Sequence, residues 1–129
     1  MMPPRILVQL IHIQGGLKGE IQEFYDSPIT VGRLSSCSVR FPADEPGVSR
    51  EHAIIQRDGN QFKLVDLSKF GTYVNGKQVR EALLKNGDVL EFGTTRLRFE
   101  VERQPDNEEL KALIAREPGG APSMMLKQR

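Results

Sequence analysis

Three short clusters in the chain gather cations, hydroxyls and small residues: Gly32-Arg33, then Ser49-Arg50-Glu51-His52, then Ser68-Lys69-Phe70-Gly71-Thr72 followed by Asn75-Gly76. These are the groups that hold an oxyanion. A phosphate monoester carries roughly −1.5 to −2 charge near neutral pH and offers several acceptor oxygens. Arg33 could meet it with a planar fork of N–H donors, Ser49 with a hydroxyl and a backbone N–H, and Arg50 and Lys69 with further positive charge. Each residue alone means little; the chemistry needs all of them on one surface.

Strands ending in loops can provide that surface. Segments rich in Val, Ile, Thr, Tyr and Phe recur between Gly, Pro, Asn and Asp breakers, the pattern of strands joined by turns. Strands are expected over 5–14, 20–25, 29–33, 38–41, 52–57, 61–67, 72–74, 77–79, 88–92 and 96–102. The last alternates most cleanly, with Leu97, Phe99 and Val101 on one face and Arg96, Arg98, Glu100 and Glu102 on the other, as a half-buried strand requires. Asp58-Gly59, Asn75-Gly76 and Asn86-Gly87 tolerate positive φ and mark tight reversals. Reversals so closely spaced favour an antiparallel sandwich, whose loops converge at its ends. Each cluster sits at a strand end, so residues distant in sequence can meet there.

In this order and within one all-β stretch, Gly32-Arg33, Ser49-Arg50-x-His52 and Gly71-Thr72-x-x-Asn75-Gly76 resemble the forkhead-associated (FHA) family. The resemblance covers 5–103. It implies a twisted antiparallel β-sandwich of the FHA/SMAD-like kind whose loops at one end bind phosphothreonine peptides. Arg33 and Ser49 match the family's principal phosphate ligands, and Arg50 matches a position that commonly contacts the peptide. Gly32, His52, Gly71 and Thr72 match positions that hold the loops in shape, so His52 is expected to brace the site. Asn75 looks like the family's loop-bridging amide, with Gly76 supplying its turn. Many members read Ser-Thr-Asn-Gly-Thr where this chain reads Ser68-Lys69-Phe70-Gly71-Thr72. Lys69 then adds a charge-assisted contact, and Phe70 exchanges a peptide-contacting amide for an apolar surface. The loop around Phe70 and the Ser36–Ser38 stretch are expected to read residues flanking the phosphothreonine. The preference for threonine has a physical rationale, a niche for the γ-methyl worth about 0.8 kcal/mol per buried carbon.

Other classes fit poorly. An enzyme would start from Ser49 and His52 with Asp66 as orienting acid, but positions three apart on a strand point to opposite faces. No nucleophile elbow, Walker loop or metal-ligand cluster occurs, so no catalytic residue, metal or cofactor is expected. A nucleic-acid module would be basic with aromatics interleaved, whereas the net charge is +1 and aromatics are 6% of the chain. With one cysteine, Cys37, there is no intrachain disulfide. No apolar run approaches the roughly 20 residues that cross a bilayer, and the chain reads as cytoplasmic. The expected partner is a phosphothreonine-containing protein, a Ser/Thr protein kinase or its substrate. The alternative is a phosphate-independent interaction domain built on the same sandwich.

After Glu102 the composition changes. Asp106 and Glu109 resemble a capping box, and Leu110, Leu113 and Ile114 follow at helical spacing before Pro118-Gly119-Gly120. The sequence predicts a short helix over 104–117 and a disordered tail over 118–129.

Overall fold

Alternating and β-branched segments become eleven strands in the computed structural model, which describes residues 5–104. They are β1 (Arg5–Gln14), β2 (Ile21–Phe24), β3 (Ile29–Gly32), β4 (Val39–Arg40), β5 (Ala53–Asp58) and β6 (Gln61–Asp66). Then come β7 (Thr72–Val74), β8 (Lys77–Val79), β9 (Glu81–Leu84), β10 (Val89–Phe92) and β11 (Thr95–Gln104). The chain divides into one unit over Leu7–Glu102 and a second made of Met1–Ile6 with Arg103–Arg129. Of the second, only the outer residues of β1 and β11 are described. Apart from Gln104, which closes β11, the helix expected over 104–117 and the tail over 118–129 lie outside the described residues. Among the described residues no helix is long and apolar enough to cross a membrane.

The strands form two sheets, ordered β2-β1-β11-β10-β7-β8 and β4-β3-β5-β6-β9. Antiparallel pairing dominates, as expected, with one departure: β3 and β4 run parallel over Val31↔Val39 and Gly32↔Arg40. The chain leaves β3 at Arg33, loops through Leu34–Ser38 and re-enters in the same direction, which lays a loop across that strand end. β9 was not expected from the sequence. Its Glu-Ala-Leu-Leu run has poor strand propensity, and its pairing with β6, from Phe62↔Leu84 to Val65↔Glu81, supplies what propensity does not.

The inward faces meet in an apolar core. Leu10, Leu90, Phe92, Leu97 and Phe99 of the first sheet face Ile29, Val31, Ile55 and Leu64 of the second, all with 0–1% of their surface exposed. Each such side chain contributes about 1.5–3 kcal/mol by leaving water. Phe62 and Phe99 meet edge to face at 5.6 Å across the sheets. The Asn75-Gly76 turn has φ of 51° and 85°, and with Val74↔Lys77 as the closing pair it forms the two-residue type I′ reversal its composition predicts. That rigid pair of sheets is the platform for the loops at one end.

Candidate functional site

The site begins with a missing side chain. Any Cβ on Gly32 would run into the carbonyl oxygen of Arg50. The bare Cα lets that oxygen settle over the end of β3, where it accepts the backbone N–H groups of Arg33 at 3.0 Å and Leu34 at 3.3 Å. The Cys37 thiol donates to the same oxygen at 3.6 Å. Burial pushes the Cys37 thiol up from its ordinary value, so it stays protonated. One carbonyl thus ties the loop after β3 to the bend Ser49–Glu51 ahead of β5.

Arg33 is held from behind. Its Nε donates to the carbonyl of Val48 at 2.6 Å and its Nη1 to that of Ala43 at 2.5 Å, both in the segment between β4 and β5. Among the described residues no carboxylate lies within 4.0 Å of it. The guanidinium is therefore half-buried, oriented by neutral groups and uncompensated in charge, with the rest of its donor fork uncommitted.

Ser49 differs in one respect from expectation. Its backbone N–H is not available to a ligand, because it donates to His52 Nδ1 at 3.0 Å. Its Oγ accepts the backbone N–H of Lys69 at 3.1 Å, which leaves the hydroxyl hydrogen to donate. Ser49 and His52 also do not sit on opposite faces of a strand: β5 starts at Ala53, and the bend before it brings the ring back onto the serine amide.

His52 is fully buried, with a ring nitrogen on each of the two loops it was expected to hold in shape. With Nδ1 accepting from Ser49, Nε2 carries the hydrogen and donates to the Gly71 carbonyl at 2.9 Å. Its ring stands edge-on to Phe92 at 5.2 Å. Burial holds the imidazole below its ordinary pKa, against the opposing pull of the Gly71 carbonyl and the Asp66 charge. The neutral ring links the loop before β5 to the loop between β6 and β7.

That second loop is organised by two residues not picked out as structural from the sequence. Asp66 Oδ1 accepts from the Ser68 N–H at 3.1 Å, the Ser68 hydroxyl at 2.7 Å and the Thr72 hydroxyl at 2.8 Å. Ser68 Oγ in turn accepts the Gly71 N–H at 2.7 Å. Burial raises the Asp66 pKa, but these donors outweigh it and hold the carboxyl below its ordinary value. The available signal was Asp-x-Ser ahead of a Gly, the spacing of an Asx turn. Gly71 takes φ +97°, a conformation costly for any side chain bearing a Cβ.

A single open basin lies over this frame and brings Arg33, Ser49, Arg50, Lys69 and Phe70 together, the five residues expected to touch a ligand. Ser68 lines it as well, and so does Glu51, whose exposed carboxylate sits in solvent. Phe70 and Leu67 present apolar rims, 56% and 47% exposed. A smaller cavity adjoins the basin, sharing Glu51 and Leu67 with it and lined further by Val31, Ser36, Cys37 and Ile54. Gly32, His52, Gly71 and Thr72 are all in the supporting frame. Asn75 and Gly76 are not: Asn75 Nδ2 donates to Asp88 Oδ1 at 2.9 Å and its Oδ1 accepts the Val89 N–H at 2.9 Å. Asn75 therefore bridges the β7–β8 turn to the start of β10, three residues along β7 from the basin frame.

Residues 29–93 match the FHA domain family. The glycogen accumulation regulator GarA of Mycolicibacterium smegmatis is 44% identical over 92 residues, 70% of this chain and 57% of the relative. The oxoglutarate dehydrogenase inhibitor of Corynebacterium jeikeium is 42% identical over 57 residues, 43% of this chain and 40% of the relative. The chain thus spans less than two thirds of either relative. A solved FHA domain described for its phosphothreonine-dependent interactions superposes with a TM-score of 0.64 at 33% identity, covering 73% of this chain and 95% of that one.

Proposed function

This chain belongs to the forkhead-associated domain family, and from that premise we propose that it captures phosphothreonine on a partner protein and catalyses no reaction. The observation that carries the reading is Arg33: a half-buried cation aimed by two backbone carbonyls, with no carboxylate within 4.0 Å among the described residues, in the basin that also holds the Ser49 hydroxyl, Arg50 and Lys69. An oriented cation and hydroxyl left without an anionic partner favour an incoming phosphate, because little reorganisation is needed to bind it. The phosphate takes the free donors of Arg33 and the Ser49 hydroxyl. Arg50 and Lys69 add charge from the exposed rim.

Flanking residues of the peptide are read on either side. The cavity beside Cys37 takes one side chain, in agreement with a role for Ser36–Ser38, and the Phe70 ring supports another. The geometry of His52 supports a non-catalytic reading. Its Nδ1 faces the Ser49 amide and not the hydroxyl, and its Nε2 is committed to Gly71, so it cannot take the proton of Ser49. The partner is a Ser/Thr protein kinase or one of its substrates, and the chain works in the cytoplasm where such kinases place the mark. A solved FHA domain concerned with phosphothreonine-dependent interactions supports the ligand class.

The test is titration of an oriented phosphothreonine peptide library against the wild-type chain and Arg33→Ala, with unphosphorylated, phosphoserine and phosphotyrosine controls. Binding is expected to require the phosphate, to favour phosphothreonine over phosphoserine, and to fall by about 30-fold or more in Arg33→Ala. Equal affinity for threonine and phosphothreonine peptides, or an unaffected Arg33→Ala, sinks the reading and leaves a phosphate-independent interaction domain on the same sandwich.

A further inference from the structure

The basin wall past Lys69 has few groups to offer a peptide main chain. Phe70 contributes a ring without a hydrogen-bonding group. All the N–H groups of its loop except that of Phe70 are turned inward: Leu67 N–H goes to the His52 carbonyl, Ser68 N–H to Asp66 Oδ1, Lys69 N–H to Ser49 Oγ and Gly71 N–H to Ser68 Oγ, while the Gly71 carbonyl accepts from His52. A peptide lying across the Phe70 rim loses water from its own N–H and C=O groups, and each group so stripped needs a partner.

An amide lies over the next residue of that loop, Gly71, just outside the lining of the basin. Gln78, the central residue of the edge strand β8, is exposed and pairs across the outer face of the sheet with Tyr73. Its side chain folds over the bare Cα of Gly71, so that a Cβ there would stand 2.7 Å from Nε2 and 3.4 Å from Cδ. Among the described residues the Gln78 amide has no hydrogen-bond partner. A primary amide carries donor and acceptor together and can pair with both the N–H and the C=O of one peptide residue.

Resting on the phosphopeptide reading above, we infer that Gln78 hydrogen-bonds the main chain of the bound peptide on the Phe70 side of the phosphothreonine. The edge strand β8 then forms one end of the site, in addition to the loops, and restores from another element the amide function that Phe70 lacks. Gly71 has a second use in this arrangement, since its missing side chain is what lets the Gln78 amide lie over the loop beside Phe70.

The experiment uses the full chain and the tightest phosphothreonine peptide from the library, measured by calorimetry. Gln78→Ala is expected to weaken binding by about fivefold to tenfold, the worth of a hydrogen bond or two. Gln78→Met, which covers Gly71 without an amide, is expected to lose as much. Against peptides N-methylated one position at a time, the loss is expected to vanish for one position, where the main-chain N–H is already gone. Wild-type affinity in Gln78→Met alongside loss in Arg33→Ala overturns the inference and keeps the phosphate reading. So does a Gln78→Ala loss that every N-methylated peptide shares. Phosphate-independent binding by the wild type overturns the reading underneath and this inference with it.

Discussion

His52 shows how a residue with catalytic chemistry can be given a structural task. Its two nitrogens are committed to backbone groups of separate loops, and burial keeps the ring neutral. A depressed folded pKa means that unfolding takes up a proton between that value and the ordinary 6.5. Stability from this source is therefore complete above 6.5 and is lost as pH falls toward the folded value. Urea unfolding of the wild type from about pH 7.5 to 5 should show midpoints declining with acidity, and His52→Asn should give a lower but flatter profile. Parallel profiles for the two proteins would remove His52 as the cause.

At the scale of elements, the site depends on loops pressed against strand ends, and the closest approach is at Gly32. The Arg50 carbonyl occupies the space of its absent side chain, so Gly32→Ala must separate β3 from the bend that carries Ser49. We expect a loss of about 3 kcal/mol in urea unfolding, with phosphopeptide binding abolished. Gly59, in the β5–β6 turn at φ +64°, has open space where a Cβ would go. Gly59→Ala should cost only the conformational strain, about 1–2 kcal/mol, and leave binding intact. Equal stability of the two variants would show that backbone conformation, and not the close approach, governs Gly32.

Across the whole molecule, core and site are linked by aromatic rings. Phe92 is fully buried, touches the Phe41 ring at 6.5 Å and supports His52, whereas Phe70 stands 56% exposed at the basin. The same side chain type thus stands in opposite surroundings. Phe92→Ala is expected to cost about 3–5 kcal/mol of stability. Phe70→Ala should leave the unfolding midpoint within about 0.5 kcal/mol of wild type and change which peptides bind. A destabilised Phe70→Ala would mean that the ring is part of the fold and not a reader of ligands.

The strand pattern, the turns and the anion-binding types of Arg33, Ser49, Arg50 and Lys69 were legible from local sequence, because alternation, positive-φ pairs and charge type are properties of neighbours along the chain, whereas Phe70 entered only through the family resemblance. Asn75-Gly76 was readable as a turn for that reason. Which end of β7 it serves was not, since its partners Asp88 and Val89 belong to another turn. Strand β9 was missed because its strand character comes from β6 and not from its own residues. Local sequence shows neither Asp66 and Ser68 as the frame of the site nor the use of the Ser49 amide by His52. Each of these depends on a hydrogen bond between segments brought together only by the folded sheets. The sequence alone determined which chemical groups the chain can bring to an anion. Only the tertiary structure decided which of their donors remain free, because a donor already satisfied by the protein has none left for a ligand.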